Sequence, residues 1–351
     1  MNVFQEASIH LFLYYLVALM QRHEIVTLDL AEVKCLRKYF ECYVLADHGM
    51  ETMLSAEEER ILKELPKKID RALQDGGFDL EQGVGVYVTT QTVKDTTLDY
   101  ASSSEIKESM KKHLQTLCDH PVYRSQPGLL PDTNMILQSY FRAGLDQSKL
   151  CSAQEIHDFL INSAKVDFEL QRLMGAYEDD EESFTCELAI IPWEDIPLSC
   201  YYRGFIGKNG KLNAFCQYFN FLYFPEVVPH AQKLRKQVQA YFEEFIPKNP
   251  QKFEKRPAIV DFHVTGFDTN AKLSIKVQRI VPFDENEISD ILSGEMFFDE
   301  DKQSLLHGTN AGDVLMEIHQ TYVDNNTLAE YITPNEEFFM DEVVYEFHNN
   351  A

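Results

Sequence analysis

Positive charge is scarce in this sequence. Lys and Arg number 32 against 57 Asp and Glu, which leaves a formal net charge of −25. Broad binding to nucleic acid needs clustered Lys and Arg on phosphates, so that class of function is excluded. Attraction to an anionic membrane surface is excluded on the same ground. Long apolar runs are missing too. The longest, IHLFLYYLVALM at 9–20, has twelve residues, where a bilayer needs about 20. No Lys or Arg precedes it and no small-residue cleavage site follows, so a buried helix over 4–23 is expected rather than a signal peptide. The seven cysteines, at 35, 42, 118, 151, 186, 200 and 216, contain no CxxC pair, which excludes a zinc knuckle or a dithiol redox motif. Their odd number and irregular spacing predict buried free thiols in a cytoplasmic chain. There is no Walker pattern, internal repeat or low-complexity segment, and the 11 histidines form no metal-binding spacing.

What is there is a core. Hydrophobic residues make up 44% and aromatics 12%, so pervasive disorder is excluded. The acidity is uneven. From Asp284 to the end there are 17 Asp and Glu against one Lys, interleaved with aromatics such as Phe297, Tyr322, Phe338 and Tyr345. This region reads either as the solvated surface of a folded end or as a docking segment for a basic partner.

Periodicity supplies the elements. Leu30, Val33, Leu36, Tyr39, Phe40 and Tyr43 predict a helix over 28–46. Ser55 with Glu58 forms a capping box that opens a helix over 56–74, stopped by Asp-Gly-Gly at 75–77. Residues 83–92, GVGVYVTTQT, read as a strand. Helices are expected at 104–118, 133–148, 152–174 and 226–247. Strands are expected at 187–193, 200–206 and 211–219, and a hairpin at 256–267 and 272–283 turning at 268–270. Helices followed by antiparallel strands predict an α+β fold.

The stretch 187–225 stands out. It holds the one tryptophan, Trp193, an isolated Arg203 in YYRGF, and Gln217 inside an apolar run. Together they suggest a lined cleft. Burying a lone guanidinium is costly, so Arg203 either pairs with an internal carboxylate or clamps a phosphate or carboxylate ligand. Trp193 is a core anchor or a face for a flat ring. Lys94 and Asp95 are an exposed loop pair or hold phosphate. Asp261, in IVDFHV, wants a cation, either a metal or a basic side chain, and His263 two residues on shares its face.

Five segments, in order, carry a resemblance: LSAEEERILKELPKKIDRAL, GVYVTTQTVKDTT, IIPWEDIP with YYRGF, KLNAFCQYFNFLYFPE, and IVDFHV through IVPF. Over residues 28–308 the chain resembles the cell-division-cycle protein 123 family, in particular its longer members. The resemblance implies an ATP-grasp fold, two α+β lobes around a nucleotide cleft with an N-terminal helical extension. It implies ATP as cofactor and assembly of translation initiation factor 2, through that factor's γ subunit, as the task. The expected layout is a helical region at 1–78, lobes at 79–183 and 184–308, and an acidic region at 309–351. By resemblance Lys94, Asp95, Trp193, Arg203 and Gln217 contact nucleotide, and Asp261 is a metal ligand.

The departures shape the expectation. Thr89 stands where relatives have a basic residue, and Ile191 where they have an arginine. The segment in which relatives place an acidic residue and an asparagine on the metal reads Arg279-Ile280-Val281-Pro282-Phe283. Magnesium needs several oxygen ligands, so the metal site is expected to be impaired, with Arg279 near Asp261, taking over part of the metal's role and pairing with that carboxylate or with phosphate. Asp284 and Glu285 are substitute ligands by position. A divergent, catalytically impaired nucleotide-binding assembly or chaperone factor is the primary expectation. The alternatives are a ligase-type enzyme with a rearranged magnesium site and an interaction protein that binds no nucleotide.

Overall fold

The computed structural model describes residues 23–44, 53–88, 91–92, 104–123, 133–178, 180–253, 257–267, 272–282, 302–307, 314–318, 340 and 343. The helix expected at 4–23, the turn at 268–270 and most of the acidic region lie outside them. The first elements are β1 (Glu24–Leu28), α1 (Leu30–Tyr39, continued by a π-helical turn over Phe40–Val44), α2 (Ala56–Gly76), β2 (Val84–Val88) and β3 (Gln91–Thr92). Next come α3 (Ser104–Asp119), α4 (Thr133–Asp146), α5 (Ala153–Asn162), α6 (Ala164–Ala176), β4 (Cys186–Pro192), β5 (Tyr201–Ile206) and β6 (Leu212–Gln217). The chain closes with α7 (Ala231–Lys248), β7 (Ala258–Thr265), β8 (Ser274–Pro282), α8 (Lys302–His307) and β9 (Leu315–Glu317). The fold is α+β. No helix among the described residues is long and apolar enough to cross a membrane. Two units make up the chain, one of residues 1–106 and 143–194, the other of residues 107–142 and 195–351.

The first unit is built on a four-stranded antiparallel sheet, ordered β1-β4-β2-β3. Alternation puts Val26, Leu28, Val84, Val86, Val88, Cys186, Leu188 and Ile190 on one face, in a core shared with α1, α2, α5 and α6. The other face carries Ile25, Tyr87, Ala189 and Ile191. The capping box of α2 is complete. Ser55 N–H donates to the Glu58 carboxylate at 2.7 Å, and Glu58 N–H donates to Ser55 Oγ at 3.3 Å. Gly77, at φ 57°, ends the helix in the left-handed conformation that glycine adopts without strain.

Two features differ from the expectations. The run at 152–174 is two helices, because Ser163 takes an extended conformation (φ −88°, ψ 118°) and its Oγ accepts the Val166 N–H at 3.2 Å. A buried serine thus caps α6 directly after α5 ends. The strands of 187–219 are divided between two sheets. β4 belongs to the first unit's sheet, and β5 and β6 to the second unit's.

The second unit holds a five-stranded sheet, ordered β8-β7-β5-β6-β9. Every neighbouring pair is antiparallel except β6 with β9. On one face Tyr202 stacks on Phe262 at 5.8 Å, and Phe242 of α7 meets Phe262 edge-on at 5.2 Å. Gly204 lies in this layer. A Cβ there would come within 2.7 Å of Leu212 Cδ1 and 2.9 Å of Val260 Cγ1, so the layer closes only over a glycine. On the other face Phe205, Ala214 and Cys216 pack with Leu305 and Leu306 of α8. Asn213 Nδ2 donates to Leu305 O at 2.8 Å and Asn209 Nδ2 to His307 O at 3.0 Å. Residues 302–307 and 315–317 are therefore part of this unit's fold.

Candidate functional site

The register of the second sheet builds the site. Asp261 on β7 lies opposite Arg203 on β5 and opposite Arg279 on β8. Arg203 lies opposite Cys216 on β6, and Cys216 opposite Glu317 on β9. Directly opposed residues share a face, so Arg279, Asp261, Arg203, Cys216 and Glu317 form one row across five strands. With strands about 4.8 Å apart, Glu317 is two strands removed from Arg203, and the two guanidinium groups flank the one carboxylate directly.

The contacts follow from this row. Arg203 Nε donates to Asp261 Oδ1 at 2.7 Å and Nη2 to Oδ2 at 3.2 Å, a bidentate fork. Arg279 Nη1 stands 3.8 Å from Asp261 Oδ2, an ion pair longer than a hydrogen bond. The Asp261 side chain is 9% exposed, Arg203 21% and Arg279 13%, so solvent reaches the cations more than the anion. Of the two alternatives read for Arg203, the internal carboxylate is the one present on this face.

Aromatic rings support the row. The guanidinium carbon of Arg203 lies 4.7 Å from the centre of the Tyr218 ring, a cation–π arrangement. Tyr201, two residues before Arg203, meets His263 edge-on at 4.3 Å. His263 is on the Asp261 face, as its i+2 spacing requires. The ladder is irregular between Asp261 and Phe262, where β8 moves from Arg279 to Val277, so Gln278 is the extra residue of a bulge. Gln278 Nε2 sits 3.1 Å from His263 Nδ1. This partner was not legible in the sequence, because nothing in KVQRIV marks a bulge.

The other candidates lie elsewhere. Gln217 lies opposite Tyr202, hence on the reverse face from Arg203, and its Nε2 donates to Leu222 O at 2.7 Å inside the core. Trp193 is in the first unit, half-buried. Its backbone N–H donates to Gly83 O at 3.0 Å, and its ring lies along Gly85, whose missing Cβ would be 3.7 Å from Cε3. Ile191 lies opposite Gly85 on that face, and Val281 lies opposite Ile259 on the Asp261 face of the second sheet. Lys94, Asp95, Thr89, Asp284 and Glu285 lie outside the described residues.

The donor set around Asp261 does not fit a magnesium ion. Magnesium takes near-octahedral oxygen ligands, and both Asp261 oxygens face guanidinium groups. No group of three His, Cys, Asp or Glu suited to a metal occurs among the described residues.

The chain is similar to Cdc123 from Schizosaccharomyces pombe. One solved structure of that protein shares 15% identity, covers 88% of this chain and 93% of its own, and superposes with a TM-score of 0.47. A C-terminally truncated form shares 14%, covers 87% and 93%, and gives 0.49. The sequence matches no protein-family model and no curated protein.

Proposed function

We propose that this chain is an ATP-grasp-type nucleotide-binding protein that serves as a cytoplasmic assembly or chaperone factor for a protein partner, and that it performs no ligation. One observation carries this reading. Asp261, matched by resemblance to a metal ligand, has its carboxylate held between Arg203 and Arg279. A ligase of this type uses magnesium to bridge and neutralise phosphates, and two arginines leave a site that holds an anion without activating it. Arg203 is the phosphate contact, and Arg279 supplies positive charge where a metal would. The γ subunit of translation initiation factor 2 is the partner that the sequence resemblance names. The surplus acidity after Asp284 suits a basic face on such a partner.

Thermal unfolding tests the nucleotide half of this reading. A ligand that binds only the folded state stabilises it by about 2.7 kcal/mol at a hundred times its Kd. ATP is expected to raise the unfolding midpoint of the native chain and to lose that effect in Arg203→Ala. Absence of a shift at saturating ATP would leave only the interaction-protein alternative. Co-purification with the isolated γ subunit tests the partner half.

A further inference from the structure

Between α1, α6 and the turn that leads into β4, the first unit holds a cavity of about 290 Å³. That is just below the range of ligand pockets, so it suits a side chain rather than a nucleotide. Its floor is apolar. Tyr177 and Phe184 are buried and meet edge-on at 5.5 Å, and Leu30 and Met174 complete the apolar lining. Its mouth is acidic. Glu178 and Glu181 line it, and the exposed Asp180 and Glu182 lie in the same turn. The cation in its lining, Arg37, is already engaged: Nε donates to Asp167 Oδ1 at 3.1 Å and Nη2 to Glu41 Oε1 at 2.8 Å. Lys34 Nζ reaches Glu181 at 2.8 Å, between side chains 48% and 61% exposed, where an ion pair contributes little. Glu178 has no ion pair or hydrogen bond among the described residues. Phe168, 64% exposed, stands one turn before Gln171 of the cavity wall.

We propose that this cavity takes a lysine side chain from a basic, amphipathic segment of a protein partner. Lysine joins an apolar stem to a charged end, as the cavity joins an apolar floor to an acidic mouth. The stem lies against Leu30, Met174 and the two rings, and the ammonium meets the Glu178 carboxylate. Aromatic faces add attraction for the cation. An apolar neighbour on the same segment covers Phe168. Around the cavity the carboxylates at 41, 167, 178, 180, 181 and 182 outnumber Lys34 and Arg37, so the local field favours a further positive charge. A second copy of this chain fits poorly as occupant, because copies with a net charge of −25 repel one another. The contact uses neither the Arg203 row nor the acidic residues after Asp284, so it goes beyond the readings above.

Fluorescence anisotropy of the full chain with a labelled hexapeptide of alternating lysine and leucine tests it. The acidic residues after Asp284 also attract such a peptide, so two substitutions separate the cavity from general acidity. Gly175→Leu fills the cavity without changing charge. A Cβ at Gly175 meets no atom within 4 Å, and leucine is a better helix former than glycine, so the fold is kept. Glu178→Gln removes charge and keeps shape. Each should weaken peptide binding about tenfold, and Phe168→Ala about threefold, with native unfolding midpoints as the control for folding. The same peptide with glutamine in place of lysine should not bind. Unchanged affinity in Gly175→Leu or in Glu178→Gln overturns the inference, because the peptide is then held outside the cavity. Failure of the lysine peptide to bind the native chain overturns it too. Neither result touches the nucleotide-binding reading, which the ATP-dependent shift in unfolding tests separately.

Discussion

Replacing Asp261 with Asn removes the one carboxylate between two arginines while keeping its shape. Removal of one partner from a buried ion pair costs about 3–5 kcal/mol, because the remaining charge is left uncompensated. Here the side chains of Arg203 and Arg279 are 21% and 13% exposed, so water screens part of the loss, and an amide oxygen still accepts one N–H. About 2–3 kcal/mol is the expected destabilisation. For a unit of this size each kcal/mol moves the midpoint by about 2–4 °C, so differential scanning calorimetry should show the second unit's transition fall by about 4–12 °C. Two controls sharpen the result. Asp261→Asn with Arg203→Met should recover part of the loss, since it also removes one of the two guanidinium groups that face position 261. Tripolyphosphate should stabilise Asp261→Asn more than the native chain, because it supplies the missing negative charge. A midpoint unchanged or raised in Asp261→Asn would refute the reasoning: the carboxylate would then contribute no net stability.

Two further substitutions test separate parts of the fold. Tyr202 is fully buried, its hydroxyl has no hydrogen-bond partner among the described residues, and burial pushes its pKa well above the usual tyrosine range. Tyr202→Phe keeps the stack on Phe262 and removes the unsatisfied oxygen, so stability should rise by about 1 kcal/mol in denaturant titration; a fall would show that the hydroxyl is bonded. In the first unit, Lys38 and the Ser55 cap hold the Glu58 carboxyl down at about 2, against an ordinary value of 4.5. A depressed carboxylate adds stability above its unfolded pKa and loses it as pH falls through the folded one. Glu58→Gln should therefore flatten the pH dependence of the first unit's midpoint between about 4.5 and 2, and matching acid profiles for the two proteins would disprove the assignment.

Local features of the fold were legible because their causes are local. Ser55 with Glu58, the Asp-Gly-Gly stop and the alternation in VGVYV each fix an element within a few residues. The break at Ser163 is local too, but a serine followed by an apolar helical run also reads as a surface position, and only its burial separates the two cases. β1 was not read at all. EIVTL is short, and its partner 186–190 lies far along the chain. In the site, Arg203 and Asp261 drew notice because charge inside an apolar strand needs a counterpart. The approach of Arg279 to Asp261 was expected, since both lie in one hairpin, whereas the pairing of Asp261 with Arg203 is a matter of register between strands far apart in the chain, which composition does not encode. The same register places Gln217 on the reverse face, one residue out of step with Cys216.

The parallel pairing of β6 with β9 has a consequence for how this chain is made. β6 ends at Gln217 and β9 begins at Leu315, roughly 100 residues later. At a synthesis rate of about 5–20 residues per second, the outer edge of β6 waits some 5–20 seconds for its neighbour to be translated. An unpaired edge strand is a template for wrong pairing, and LNAFCQ is buried along its whole length in the finished fold. During that interval the nascent second unit offers an apolar edge to other chains. The acidic residues between Asp284 and Leu315, translated within that interval, set like charge between neighbouring nascent chains.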